Sequence, residues 1–221
     1  MQYVSLLAVA LATVVSTTTP ALGALHAPAA SSTSSVASLD ADAWDPASLG
    51  DINPRVFAAA IDAASSAIER GRAALPSTLT IIDYTRPSTE KRMWVYDIRT
   101  HALLFDEWVS HGRGSGKNVA TAFSNQPDSN MSSLGLFKTA EAYEGHNGYS
   151  LRLDGLDRGV NDHARERAIV IHGAPYVNPA VARAQGYLGR SLGCPAVRPE
   201  VAHALIDAVK GGGLLFAYGG A

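Results

Sequence analysis

The sequence predicts a mainly β domain, a sandwich or barrel with a few short helices and one N-terminal helix. Three observations carry this. From Thr78 onward the chain breaks into short runs rich in β-branched and aromatic residues. Turn-forming residues separate these runs at close intervals. Helical patterning is confined to three stretches, one before the strands and two among them. Many short strands of this kind pack as a sandwich or close into a barrel. A length of 221 residues allows one sizeable domain plus an appendage.

Taken in order, residues 1–23 read as an export signal. "LLAVALATVV" is an apolar run too short to span a bilayer, and the small residues of "TTTPALGA" suit cleavage near Gly23 or Ala24. No Lys or Arg precedes the run, so a buried N-terminal helix or an uncleaved anchor stands as the alternative. The expected location is periplasmic or secreted, associated with the cell envelope. Residues 24–50 are rich in Ala, Ser and Thr and read as a flexible linker. Residues 51–74 hold a helix, "NPRVFAAAIDAASSAIERG". Asn53 caps it, Pro54 fits its first turn, and Gly71 ends it. Val56, Ala60, Ala63, Ala64 and Ala67 form a thin apolar stripe that packs on the domain.

Residues 75–221 form the main domain. "LTIIDY", "RMWVYDI", "LLFDEWVS", "SLGLFKTAEAY", "YSLRLDGL", "AIVIHGA" and "GLLFAYG" read as strands. Two short helices interrupt them. "NPAVARAQ" starts at Asn178 and Pro179, and "RPEVAHALIDAVKG" has Pro199 near its start. Hydrophobic residues make up 47% and charged residues 17%, with a net charge of −2, so nothing in the bulk charge selects nucleic acid as a partner.

Two site classes fail on inspection. "HGRGSGKN" superficially resembles a phosphate loop, but His111 stands where the first glycine belongs and Asn118 where Ser or Thr belongs. It reads as a glycine-rich loop after a strand, with His111 either structural or facing a cleft. The seven histidines show no HExxH, no paired Cys and no close His-Asp-His spacing, so no metal site is expected.

The remaining chemistry centres on "GRSLGCPAV". Cys194 is the single cysteine. In an exported protein an unpaired cysteine is a reactive thiol, an intermolecular bridge or a small buried hydrophobe. "AIVIHGAPY" ends an apolar strand at His172, beside Gly173. An imidazole near Cys194 can take the thiol proton and hold a thiolate as an ion pair. Gly193 permits close approach of backbone or substrate, and the N–H groups of Gly193 and Cys194 can face a developing oxyanion.

"IHGA" followed by "SLGCPAV" resembles the signature of the YkuD-type L,D-transpeptidases. "HGRGSG", "FSNQ", "SSLGLF", "GLDRGVNDHARERAIVIHGAPYV" and "GRSLGCPAV" together resemble the murein L,D-transpeptidase catalytic-domain branch, over about residues 78–218. The family fold is a β-rich, sandwich-like barrel. The resemblance implies Cys194 as nucleophile, His172 as its base and the Gly173 carbonyl as the group orienting the imidazole. It places Gly193 beside the nucleophile. Ser191, Arg190, Tyr176 and His111 are candidate substrate contacts, Arg190 for a carboxylate. Leu192 departs from the wider family, which carries His there, and the spacing from His172 to Ser191 runs long.

The implied reaction is acyl transfer on peptidoglycan stem peptides bearing meso-diaminopimelate and D-Ala, without metal or organic cofactor. An amine acceptor gives L,D (3-3 type) cross-links. Water gives an L,D-carboxypeptidase or endopeptidase. A non-catalytic wall-binding module is the contrasting class, and a redox role lacks a second cysteine. Carbapenem-type inhibitors are expected to trap the thiol.

Overall fold

A computed structural model of the protein describes residues 39–220. The expected export signal (1–23) and the first part of the expected linker (24–38) lie outside the described residues. The rest contains eight strands and three α-helices.

The strands are β1 (Thr78–Asp83), β2 (Met93–Asp97), β3 (Leu103–Glu107), β4 (Gly135–Gly145), β5 (Gly148–Gly155), β6 (Val170–Gly173), β7 (Ala196–Val197) and β8 (Leu214–Tyr218). They form one sheet in the order β3-β2-β1-β8-β4-β5-β6-β7. Pairing is antiparallel except at β1/β8 and β6/β7. The seven strands expected from sequence are present. β7 was not expected, because two residues inside "GCPAV" are too few to show alternation.

The sheet curls until its two edges nearly meet. The chain leaving β3 runs beside the chain around β7. Ser110 N–H donates to the Ala196 carbonyl at 2.8 Å, Ser191 N–H to His111 at 3.0 Å, and Arg113 N–H to Ser191 at 2.8 Å. Arg198 adds a two-point pair to Glu107 across the same seam, at 2.6 and 3.0 Å. Glu107 is buried, so this pair is geometrically fixed rather than a loose surface contact. Closure of this kind removes the exposed edges of an open sheet.

Both faces of β1 and β2 are covered, which explains why they read as near-continuous apolar runs. Ile82, Met93 and Val95 point into the barrel with Leu151, Leu153, Ile171 and Val197. There they meet Ala202, Leu205, Ile206 and Val209 of α3 (Pro199–Val209). Leu79, Ile81, Trp94 and Tyr96 alternate to the opposite face and pack on α1 (Pro54–Glu69). Asn53 caps α1 by accepting from Arg55 N–H at 2.9 Å. Its buried stripe includes Phe57 and Ile61 as well as Val56, Ala60, Ala64 and Ala67. The helix therefore carries more apolar weight than the alanine pattern alone conveys. α2 (Pro179–Gln185) is a short helix on the surface, N-capped by Asn178.

Residues 39–50 depart from the linker expectation. Leu39, Trp44 and Leu49 are buried, and two 3-10 turns (Ala41–Ala43 and Pro46–Ser48) are capped by Asp40 and Asp45. The cause lies in β2, whose outward aromatic side chains need both apolar cover and polar partners. Trp44 packs edge-on against Phe57 and Tyr96, at centroid distances of 5.2 and 5.5 Å. The Tyr96 hydroxyl donates to the Leu49 carbonyl at 2.7 Å, and the Trp94 indole to Asp51 at 3.1 Å. Composition suggested a linker because Ala and Ser dominate it, but three apolar residues suffice to dock it.

Trp44→Ala removes the largest of these anchors. Urea unfolding should show a loss of about 3 kcal/mol, the cost of truncating a buried aromatic. A loss below about 1 kcal/mol would mean that the segment is only loosely docked.

Candidate active site

Cys194 sits in a turn held by hydroxyl groups. The Ser191 hydroxyl accepts from Gly193 N–H at 3.1 Å and donates to the Cys194 carbonyl at 2.6 Å. The Gly193 carbonyl accepts from the Ser132 hydroxyl at 3.1 Å, and Ser132 also accepts from Gly112 N–H at 3.0 Å. Ser115 ties the network back by accepting from Ser132 N–H at 2.9 Å. Gly193 has φ +131, and a Cβ there would meet the Met131 carbonyl at 2.9 Å and Ile169 at 3.0 Å. Only glycine serves at this position. A Cβ on Gly112 would come within 3.0 Å of the Gly193 Cα, so the glycine-rich loop and the cysteine turn touch backbone to backbone.

His172 is the penultimate residue of β6, in register with Ala196 of β7, two residues beyond Cys194. Its Nδ1 hydrogen bonds to the Gly173 carbonyl at 2.9 Å. A carbonyl only accepts, so Nδ1 carries the proton and Nε2 is left with its lone pair. The thiol and the imidazole do not share a hydrogen bond. Cys194 Sγ instead donates to the Ala168 carbonyl at 3.6 Å. Burial pushes the Cys194 thiol up, with hydrogen bonding by Val170 and the charge of Arg167 opposing it. Burial also pulls His172 down, against the Gly173 bond. Desolvation thus disfavours the charged form of both groups, which works against the ion pair that an imidazole near the thiol could form.

Other expectations divide. Ser191 and Gly193 are occupied internally. Gly193 N–H is donated to Ser191 Oγ, so it is not free for an oxyanion. Cys194 N–H makes no hydrogen bond among the described residues and remains the candidate donor. His111 is fully buried, and both ring nitrogens are engaged, Nδ1 by Arg92 at 2.8 Å and Nε2 by the Gly116 carbonyl at 3.3 Å. It is not a substrate contact. The reason is that the strand end it follows closes the barrel and turns the ring inward.

Arg190 and Tyr176 do face solvent. They line a cleft of about 420 Å³ with Arg113, Tyr187, Asn178 and Gln185. Arg190 donates to the Gly116 carbonyl at 3.0 Å and lies over the Tyr187 ring at 5.5 Å. Lys117 lies over the same ring at 4.9 Å. Arg113, Lys117 and Arg190 make no ion pair among the described residues. Burial, the nearby thiol and a partly offsetting Ser110 leave Tyr176 pushed up to about 12, so its phenol is neutral. Leu192 is 62% exposed, projecting away from the turn that carries it.

Residues whose positions sequence reading did not assign include Ser132, Ser115 and Arg167. All three fall in the stretches "SSLGLF", "HGRGSG" and "RERAIVIHGA". Their partners lie far away in sequence, so spacing alone did not connect them. Among the described residues no cluster of three or more His, Cys, Asp and Glu forms a metal-binding group.

Comparison with known proteins adds a family. The sequence over residues 49–218 matches the family described as the L,D-transpeptidase catalytic domain. No curated protein matches. Among solved structures, an L,D-transpeptidase from Mycobacterium smegmatis is 15% identical, with a TM-score of 0.40, over 64% of this chain and 58% of that one. L,D-transpeptidase 1 of Mycobacterium tuberculosis is 14% identical, with a TM-score of 0.37, over 65% and 62%. The helical cell shape determining protein Pgp2 from Campylobacter jejuni is 11% identical, with a TM-score of 0.43, over 65% and 48%. The chain spans less than two thirds of the length of each.

The buried His111 generates a pH prediction. Burial and Arg92 lower it to about 4, below the unfolded value of about 6.5. The unfolded chain therefore takes a proton between these values that the native state refuses. Stability from the neutral ring is present above about pH 6.5 and lost as the pH falls toward 4, on the order of 2–3 kcal/mol. His111→Asn, which keeps an acceptor for Arg92, should flatten this part of the stability–pH curve in urea titrations. An unchanged slope would remove His111 as its source.

Proposed function

We propose, from the premise that this chain belongs to the L,D-transpeptidase catalytic domain family, that it is an exported cysteine acyltransferase. Its substrates are peptidoglycan stem peptides, and its products are L,D (3-3 type) cross-links formed through a Cys194 thioester. The observation that carries the reading is the pairing of one rigid cysteine turn with a strand-end imidazole whose Nε2 is unprotonated.

The chemistry follows from these groups. Cys194 leaves the Ala168 carbonyl and passes its proton to His172 Nε2, and the sulfur attacks the meso-diaminopimelate carbonyl. Cys194 N–H donates to the oxyanion. Collapse breaks the C–N bond, and His172 returns the proton to the departing D-Ala amine. An amine of a second stem then displaces the sulfur and completes the cross-link. Burial disfavours the charged forms of both groups, which favours proton transfer coupled to attack.

The cleft supports a carboxylate-rich ligand. Arg113, Arg190 and Lys117 bring cationic groups to one surface, and stem peptides carry carboxylates that a guanidinium fork can grip. Action outside the cytoplasm, in the periplasm or at the cell surface, rests on the apolar run and small-residue motif of residues 1–23. Among the described residues no helix is long and apolar enough to cross a membrane.

Incubation with muropeptides, followed by mass spectrometry, tests the reaction. The wild type should yield 3-3 cross-linked dimers with loss of D-Ala, and Cys194→Ala should yield none while keeping its melting temperature within a few degrees. Trimmed monomers alone would assign a carboxypeptidase, and no change in muropeptides would favour a binding module. A carbapenem should add one covalent adduct to the wild type and none to the alanine variant.

Arg190→Ala tests the cleft separately. KM should rise about tenfold, with kcat changed less than about twofold, because the arginine is exposed and its hydrogen bond goes to the Gly116 carbonyl rather than to Cys194. Unchanged kinetics would return Arg190 to a loop role.

A further inference from the structure

Among the described residues Arg167 makes no ion pair. It lies on the connection between β5 and β6, where its own N–H donates to the His163 carbonyl at 2.8 Å. Nη1 donates to the Ser124 carbonyl at 2.7 Å and the Ser133 hydroxyl at 2.6 Å. Nη2 donates to the Met131 carbonyl at 2.7 Å and the Ser129 hydroxyl at 3.2 Å. Every partner is neutral. The four Nη hydrogens are all spent, leaving only Nε–H, so this guanidinium does not act as a fork for a substrate carboxylate. What it still offers is charge.

The charge is aimed at the cysteine turn. A Cβ placed on Gly193 would lie 3.3 Å from Arg167 Nη2 and 2.9 Å from the Met131 carbonyl that Nη2 holds. The next residue, Ala168, supplies the carbonyl that Cys194 Sγ contacts at 3.6 Å. Ala168 has φ +52, a left-handed conformation uncommon for alanine. One short segment thus presents a carbonyl to the thiol and a cation beside it. The other titratable groups near the sulfur contribute no charge at neutral pH. Tyr84 and Tyr176 are both pushed up to about 12, and His172 is pulled down by burial. Arg92 stands behind the Tyr84 ring, its guanidinium 5.3 Å from the ring centre, and is spent on Val109, Arg86 and His111.

We infer that Arg167 is a positioning residue of this site, its clamped guanidinium beside Gly193 stabilising the negative charge that the Cys194 sulfur acquires as it ionises. The inference rests on the reading of Cys194 as the nucleophile. The clamp explains why the cation is not simply exchanged for solvent: neutral acceptors hold it in place without cancelling its field. A carboxylate partner would have neutralised it.

The test reads the thiol directly. Iodoacetamide rates across pH give the Cys194 pKa in the full chain. Arg167→Gln should raise it by about one pH unit, the effect of losing one nearby half-exposed cation, with about tenfold slower alkylation near neutrality. Arg167→Lys keeps the charge and breaks the clamp, so its pKa should stay within a few tenths of wild type while the melting temperature falls. A folded Gln variant with the wild-type pKa overturns the inference and leaves Arg167 as a loop pin. If the Gln variant does not fold, a folded Lys variant whose pKa rises by a full unit overturns it equally. The wild type alone gives a third reading. Raising salt from about 0.01 M to about 1 M should screen the cation and raise the thiol pKa, and a constant value counts against the inference. The muropeptide assay on Cys194→Ala separates the two layers. If that variant still cross-links, the nucleophile reading fails whatever the alkylation data show about Arg167.

Discussion

The seam between the end of β3 and the chain around β7 is the constraint on which the site depends. Neither strand is adjacent to the other in the sheet order, yet Ser110, His111 and Arg113 exchange backbone hydrogen bonds with Ala196 and Ser191. The Glu107–Arg198 pair crosses the same gap. Without this closure the "GRSLGCPAV" segment would be a free loop on an open edge. With it, Cys194 is bracketed by paired backbone on one side and by the Ser132 and Ser115 hydroxyls on the other. The strength of the seam is less important than its geometry, since it fixes a thiol against a carbonyl and a cation.

Burial sets the electrostatics of the same region. Two guanidinium groups, Arg92 and Arg167, are held there by neutral acceptors rather than by carboxylates. Arg92 is fully buried, and its charge helps keep His111 unprotonated. Arg167 is half-buried and lies beside Gly193 of the cysteine turn. Both show how an interior can hold positive charge by spending donors on carbonyls and hydroxyls, which satisfies hydrogen bonding while leaving the field largely intact. Burial pushes the Cys194 thiol up and pulls His172 down, so desolvation disfavours the charged form of each.

The wrapping of the barrel follows a different logic. Trp94 and Tyr96 point away from the interior and carry polar tips. α1 supplies apolar cover, and the segment before it supplies acceptors at Leu49 and Asp51. The outer layer is therefore part of the folded unit, although its Ala-rich composition resembles a tether. Small residues there permit close packing of α1 on the sheet, where Ala60, Ala64 and Ala67 have no exposed surface.

By itself the sequence determined the class of fold, seven of the eight strands and the three helices with their Pro starts, and it singled out Cys194 and His172 as candidates. These are local properties: alternation, capping and a single thiol are legible wherever they occur. Tertiary structure alone decided that Leu39, Trp44 and Leu49 dock, that His111 turns inward, that Gly193 N–H is already used, and that Arg167 stands beside Cys194. Each of those depends on which distant segments meet. Arg167 and Cys194 are brought together by a connection between β5 and β6 that folds back on the cysteine turn, while Ser124, Ser129, Met131 and Ser133 arrive from the long segment before β4. No periodicity encodes such a meeting. It is set by the closure of the sheet and by the need of each buried donor for an acceptor.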